Sequence, residues 1–229
     1  MFSKDQLEYT QLPLPDRQTL DGAEMLRRAE DYRDFMSKRH TVRDYTTQPV
    51  DQSVIKACVA AAGTAPSGAN HQPWHFVAIS DPAVKKQIRQ AAEEEERRFY
   101  AGGASDEWIK ALEPIGTNAD KPHLEDAPWL IVVFAQRYGM FDDGTRYKNY
   151  YVPESVGIAT GMLLTALHMA GLATLTHTPN PMKFLGELLG RPDSEKATMI
   201  ITIGHPSADA TIPAVAKMKK QLSDIMTLL

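Results

Sequence analysis

Cysteine is nearly absent from the chain, with a single example, Cys58, in 229 residues. One cysteine excludes an internal disulfide framework and suits a protein of the reducing cytoplasm. Cys58 lies within VIKACVAAAG, a stretch typical of a helix interior. We therefore predict a buried and unreactive thiol.

Long hydrophobic runs are also scarce. The first 18 residues lack the uninterrupted apolar core of a signal peptide. Residues 156–173 carry no formal charge over 18 positions, close to the minimum for a membrane-spanning helix, but they include three glycines and His168. We predict a buried helix in a cytoplasmic protein and no membrane partner.

The chain has no excess of positive charge. Its formal net charge is −4, from 25 lysines and arginines against 29 aspartates and glutamates. A nucleic-acid-binding domain needs a basic surface, so we predict no nucleic-acid partner. Local clusters of basic residues can still bind a phosphate group.

Several catalytic signatures are missing. The sequence has no Gly-x-Ser-x-Gly elbow, no P-loop and no Gly-x-Gly-x-x-Gly turn. Its seven histidines include one pair four residues apart, His71 and His75, but Pro73 lies between them. Proline breaks the helix on which such a pair would share a metal ion, and we predict no metal site.

Helical and extended segments alternate along the chain. Residues 23–38 have the apolar period of an amphipathic helix, and Asp51 and Asp81-Pro82 are typical helix starts. The apolar run 129–135 predicts a buried strand, and 136–150 is predicted to be loop. Further helices are expected at 52–62, 82–100, near 108, from 156 and at 182–189, with strands at 75–80, 172–178 and 197–204. The pattern predicts one α+β or α/β domain.

The predicted helix 82–100 ends on QAAEEEERRFY, which carries four consecutive glutamates. A charge run of this kind is usually a solvated helix face. That is our interpretation of Glu93, Glu94 and Glu95, whereas Glu96 takes a role from the resemblance described below.

Three further clusters could bind a ligand, although each alone is also explained as ordinary surface. In SKRHTVRDY, Arg39 and Arg43 offer planar guanidinium groups suited to phosphate oxygens. The loop 64–74 has small residues and accessible backbone N–H groups. The tail AVAKMKKQLSDIM adds Lys217 and Lys219.

In their order and spacing these segments resemble one family. KRHTVRDYTTQPV, TAPSGANHQPWHFVAISDP, GLATLTHTP, LLGRP, IGHPS and the lysine-bearing tail are similar to the FMN-dependent nitroreductase superfamily and, more narrowly, to its iodotyrosine deiodinase branch. The resemblance runs from about residue 25 to the C-terminus. It implies an α+β fold, with a central mixed sheet flanked by helices, in an intertwined homodimer. We predict an N-terminal extension at 1–22 and an FMN-binding domain at 23–229, with a lid at about 90–125.

The resemblance also implies an FMN site at the subunit interface. It assigns the flavin phosphate and ring edge to residues 39–43, the ring to residues 176–178, and completion of the phosphate site to the tail lysines. Ser67 and its neighbours would reach the flavin from the partner chain. His40 and Thr41 depart from the commoner arginine and serine, and Lys219 from a frequent arginine. The predicted cofactor-binding residues are Arg39, His40, Thr41, Arg43, Pro66, Ser67, Gly68, Thr176, His177, Thr178, Lys217 and Lys219.

A substrate site follows from the same resemblance. The backbone N–H of Ala69 would hold a phenolate, Glu96 an ammonium group, and Tyr100 and Lys121 a carboxylate. Glu96 and Tyr100 are four residues apart and share one helix face. A Thr178 hydroxyl donated to the flavin ring would favour one-electron steps, which makes Thr178 the predicted catalytic residue.

The expected function is therefore FMN-dependent reductive dehalogenation of halotyrosines, with electrons from an external reductant. Three alternatives stay open at this point: a general NAD(P)H-dependent nitroreductase or quinone reductase, the related flavin-destructase branch, and a non-catalytic halotyrosine-binding flavoprotein. General nitroreductases usually lack the Glu-Tyr-Lys trio, so its presence favours dehalogenation.

Overall fold

The computed structural model describes residues 9–229, and part of the predicted extension, residues 1–8, lies outside them. Residues 9–21 form neither helix nor strand. The helices are α1 Gly22–Ser37, α2 Gln52–Gly63, α3 Pro82–Arg98, α4 Asp106–Leu112, α5 His123–Asp126, α6 Val152–Met169 and α7 Lys183–Leu188. The strands are β1 Trp74–Ile79, β2 Trp129–Gln136, β3 Tyr138–Met140, β4 Arg146–Lys148, β5 Ala173–His177 and β6 Glu195–Gly204.

A four-stranded sheet forms the centre of the fold, in the order β1-β2-β6-β5. All pairings between these strands are antiparallel; in the central strand β2, Val132 pairs with Val77 on one side and Ile200 on the other. Parallel pairing among the described residues is confined to a bridge between Thr41 and Thr174. The α+β prediction is confirmed, and the four-stranded sheet itself is antiparallel rather than mixed, with that isolated bridge outside it.

Helices cover both faces of the sheet. Alternate residues of β2 point to opposite faces, and both sets are apolar, because each face is buried. On one face Ile131 and Val133 pack in a core with α2 and α6, and on the other Leu130 and Val132 pack with α3, α5 and α7. The predicted buried strand is therefore correct.

Helix starts follow their capping residues closely. The Asp51 carboxylate accepts from the Ser53 N–H, and the Asp81 carboxylate accepts from the N–H groups of Ala83 and Val84. Each bond satisfies N–H groups that the first helical turn leaves without partners. Helix α3 continues beyond Arg98 as a wider π-type turn, Phe99–Gly103.

The loop predicted at 136–150 is partly wrong. Strands β3 and β4 form a two-stranded hairpin there, with Gly139 opposite Tyr147. Its strands are only three residues long, too short for the alternation of apolar and polar residues to mark them.

Helix α1 packs little of its apolar side against the rest of the chain. None of its residues is buried, and Met25, Leu26 and Tyr32 are all more than half exposed. The expected amphipathic helix is present, but its apolar face is uncovered in a single chain.

The buried, free cysteine predicted from the sequence is confirmed. Cys58 is buried and free, and burial raises the pKa of its thiol, so little of it is thiolate at neutral pH. No helix in residues 9–229 combines the length and apolar character needed to cross a bilayer. The same residues contain no cluster of three or more potential metal ligands.

One buried charge links α3 to α5 and to the residue that follows it. The Lys85 ammonium donates to the carbonyl oxygens of Glu125 and Ala127, at 2.9 and 2.7 Å, and the residue is only 6% exposed. Burial lowers the pKa of Lys85. These bonds fix the distance between α3 and the segment 121–127.

We expect Lys85→Met to lower the free energy of unfolding by about 2 kcal/mol, because two buried carbonyl groups lose their donor. Lys86→Met is the matched control, since Lys86 is exposed on the same helix, and it should change stability by less than about 0.5 kcal/mol. Urea unfolding at one protein concentration measures both variants. Equal changes would contradict a structural role for Lys85.

Candidate active site

A cleft of about 230 Å³ opens between the end of α3, the segment 99–121 and the edge strand β5. It brings together residues that are far apart in the sequence. Of the predicted site residues, it is lined by Arg43, Glu96, Tyr100, Lys121, Thr176, His177 and Thr178.

Glu96 and Lys121 form an ion pair inside this cleft. The Lys121 ammonium lies 3.3 Å from Glu96 Oε2, and their side chains are 3% and 14% exposed respectively. The ammonium also donates to the Thr117 hydroxyl, at 2.9 Å, and to the Asn118 carbonyl. Burial lowers the pKa of Lys121, and the charge of Glu96 opposes that effect. Two opposite charges thus face each other where little water can screen them.

Three buried polar atoms in the cleft have no hydrogen-bond partner among the described residues: the Tyr100 hydroxyl and the Nε2 atoms of His123 and His177. Burial raises the pKa of Tyr100, and Thr117, which lies near the hydroxyl without forming a well-aligned hydrogen bond to it, partly offsets this. Buried polar groups are normally paired, so three orphans in one cleft suggest that a ligand completes the site.

The two histidines are neutral at ordinary pH. Burial and, secondly, the charge of Lys121 lower the pKa of His177 to about 3 and that of His123 to about 4. Their rings meet edge to face, with centroids 5.9 Å apart. Sequence reasoning missed His123, although its position two residues after Lys121 could have indicated it.

The three residues predicted to line the flavin ring lie at the end of strand β5 and face two different sides. Side chains alternate along a strand. Thr176 and Thr178 are exposed, whereas His177 is buried, with Nε2 at 3.8 Å from Glu96 Oε1. The two threonines are therefore available to a ligand on the open side, and His177 faces Glu96 of α3.

A second group of predicted residues forms a cationic cluster. His40 Nε2 lies 3.2 Å from the Lys217 ammonium. Burial lowers the pKa of His40, and the positive charges of Lys217, Arg39 and Lys219 add to the effect. Several donors and cations gathered in one cluster suit an anion such as a phosphate. Thr41 connects this cluster to the sheet through its bridge to Thr174.

The loop with the other predicted contacts lies elsewhere in the chain. Pro66, Ser67, Gly68 and Ala69 do not line the cleft. The Gly68 N–H approaches the Ser155 hydroxyl at 3.4 Å, and a Cβ at Gly68 would come within 2.7 Å of the Tyr150 carbonyl oxygen. A single chain therefore gathers most of the predicted site but not this loop.

The four glutamates of α3 have different surroundings. Glu94 is exposed and pairs with Arg97 and Arg98, as a solvated residue would. The same prediction is wrong for Glu93, whose side chain is only 14% exposed and accepts the Lys121 backbone N–H. It is also wrong for Glu95, which is 17% exposed and lines the cleft. Helical geometry turns Glu93 and Glu96 inward because they are three residues apart.

Comparisons with known proteins agree with this architecture. Residues 36–205 match the nitroreductase family. The chain is 50% identical over 197 residues to an iodotyrosine deiodinase of Haliscomenobacter hydrossis, covering 86% of this chain and 89% of that protein. It is 42% identical over 204 residues to iodotyrosine deiodinase 1 of Homo sapiens, covering 89% of this chain and 70% of that protein.

A solved structure is similar over most of its length. It is a crystal structure of oxidized iodotyrosine deiodinase bound to FMN and 3-iodo-L-tyrosine, with a TM-score of 0.73 and 28% identity. The match covers 83% of this chain and 96% of that one. A BluB-like flavoprotein from Clostridium difficile, 21% identical with a TM-score of 0.67, shares the fold. The chain therefore belongs to the nitroreductase family, in its iodotyrosine deiodinase branch.

Proposed function

We propose that this protein is an FMN-dependent enzyme that removes halogen reductively from halotyrosines, with electrons from an external reductant. One observation carries the proposal: Glu96, Tyr100 and Lys121 meet in one buried cleft beside Thr178. Relatives that are 42–50% identical over most of the chain are iodotyrosine deiodinases, which supports the same activity.

The cleft is suited to the two charges of a free amino acid. Glu96 and Lys121 already balance each other at 3.3 Å. A zwitterion can enter between them without leaving a charge unpaired, since its ammonium meets the carboxylate and its carboxylate meets the ammonium. The unpartnered Tyr100 hydroxyl can donate to the same carboxylate. A ligand with only one charge would leave a buried ion uncompensated, which is costly.

The residues present also fit FMN. Arg39, His40, Lys217 and Lys219 would hold its phosphate, and Arg43, Thr176 and Thr178 would lie along its ring. FMN, when bound, supplies the redox chemistry that no side chain of this protein can perform. The Thr178 hydroxyl is exposed just beyond β5 and is able to donate a hydrogen bond to the ring. We assign it the control of one-electron against two-electron transfer.

We further propose that the active form is a homodimer. The apolar face of α1 is uncovered in one chain, with Leu26 61% exposed. The loop 66–69 lies apart from the cleft, so a second copy would bring Pro66, Ser67, Gly68 and Ala69 to the flavin and the phenolate. The lid at about 90–125 would then exclude water from the bound substrate. A cytoplasmic location fits the buried, free Cys58.

Anaerobic mixing of iodotyrosine with the dithionite-reduced FMN protein tests the activity. We expect reoxidation of the flavin together with release of iodide in stoichiometric amount. Binding without iodide release would contradict the enzyme proposal and favour a non-catalytic halotyrosine-binding flavoprotein. Faster reduction of a nitroaromatic than of iodotyrosine, with NADPH as donor, would favour a general nitroreductase.

Glu96→Gln should weaken binding of iodotyrosine by at least about tenfold, because a buried charge pair with the ammonium is lost. Glu94→Gln is the control, since Glu94 is 49% exposed on the same helix. Quenching of flavin fluorescence measures both affinities. Equal and small changes would remove Glu96 from the substrate site.

Thr178→Ala should slow iodide release while leaving iodotyrosine affinity close to that of the unsubstituted protein, because the change removes only the hydroxyl proposed to donate to the flavin and one methyl group. The ratio of iodide release to NADPH-dependent nitroaromatic reduction measures the effect, and we expect it to fall. Thr176→Ala, on the same face of β5, is the comparison. An unchanged ratio in Thr178→Ala would show that another group controls the electron count.

A further inference from the structure

Glu93 lies beneath the substrate-binding lysine rather than in solvent. Its Oε1 atom accepts the backbone N–H of Lys121 at 2.9 Å. The same oxygen accepts Nε–H of Arg89 at 2.8 Å. The two residues joined by the first bond are 28 positions apart, so the contact ties the lid segment to α3.

Arg89 also connects Glu93 to helix α5, which follows Lys121 in the sequence. Its Nη1 atom donates to Glu125 Oε2 at 3.2 Å, so one guanidinium joins a carboxylate of α3 to a carboxylate of α5. Burial alone would raise the pKa of Glu93, but the bonds from Arg89 and Lys121 outweigh burial and lower it. Glu93 is therefore charged at neutral pH and accepts both bonds.

The same lysine is thus held at two points by one helix. Glu93 fixes its backbone, and Glu96, three residues later, faces its ammonium at 3.3 Å. A side chain with four rotatable bonds is positioned best when the backbone that carries it cannot shift. Loss of the first contact would leave the Lys121 ammonium free to move relative to Glu96. A shift of about 1 Å is enough to weaken a site built on fixed charges.

We propose that Glu93, supported by Arg89, is a positioning residue that sets Lys121 for recognition of the substrate's amino-acid group. Its part in recognition rests on the proposed function, whereas its hold on the Lys121 backbone does not. Glu93 itself does not line the cleft and does not contact the ligand in this scheme.

The first measurement needs no substrate. In the FMN-loaded protein, hydrogen exchange of peptides containing residue 121 should be faster in Glu93→Ala by about tenfold, the factor expected for loss of a hydrogen bond to a charged group. Glu94→Ala, which removes an exposed glutamate one position along, should leave this exchange unchanged. Equal exchange in the two variants would overturn the proposal.

The second measurement separates positioning from general damage. Iodotyrosine should bind Glu93→Ala about tenfold more weakly, while 2-iodophenol, which lacks the ammonium and carboxylate, should bind as it does to the unsubstituted protein. Equal losses for both ligands would mean that Glu93 supports the whole cleft, and the proposal would fail. If the unsubstituted protein does not bind iodotyrosine at all, the proposed function fails, and the exchange result still decides the contact.

Glu93→Gln provides a second variant in case the alanine variant does not fold. It keeps an oxygen for the Lys121 N–H but loses the charge that pairs with Arg89. We expect exchange and iodotyrosine affinity between those of the alanine variant and the unsubstituted protein. A glutamine variant identical to the unsubstituted protein in both measurements would remove the Arg89 ion pair from the proposal.

Discussion

A row of charged side chains on helix α3 holds the segment 121–127 against the helix. Its members recur every three or four residues: Lys85, Arg89, Glu93 and Glu96. Each one meets an opposite charge or a backbone group of that segment, so the row is satisfied although it is largely removed from water. Buried charges are tolerated only under this condition, because an unpaired one would cost more than the packing returns.

The row explains why a charge-rich helix can build a binding cleft. Ile88 and Ala92 of α3 pack into the core against the sheet, which fixes the rotation of the helix. That rotation sends Glu96 to the cleft and Glu94 to solvent. In the proposed function the Glu96–Lys121 pair receives a zwitterion. Tyr100, His123 and His177 keep buried polar atoms that have no hydrogen-bond partner among the described residues. Fold stability and ligand recognition therefore depend on the same helix face.

The site is distributed over parts of the chain that serve different purposes. The cationic cluster around His40 and Lys217 suits a phosphate, and the cleft by Lys121 suits an amino acid. The loop 66–69 joins neither within one chain. This separation and the exposed apolar face of α1 are the two observations that support the proposed homodimer.

Local signals in the sequence determined most of the framework. Asp51, Asp81 and the apolar run 129–135 specified helix starts and the central strand, because capping and burial act over a few residues. Family resemblance supplied Glu96, Tyr100 and Lys121, which the cleft brings together. The sequence could not distinguish a buried Glu93 from an exposed Glu94, because both are glutamates in the same charge run. A run of this kind predicts a solvated helix face for each of them. Only the tertiary structure distinguished the two, because the contact partner of Glu93, the backbone N–H of Lys121, lies 28 residues away in the sequence.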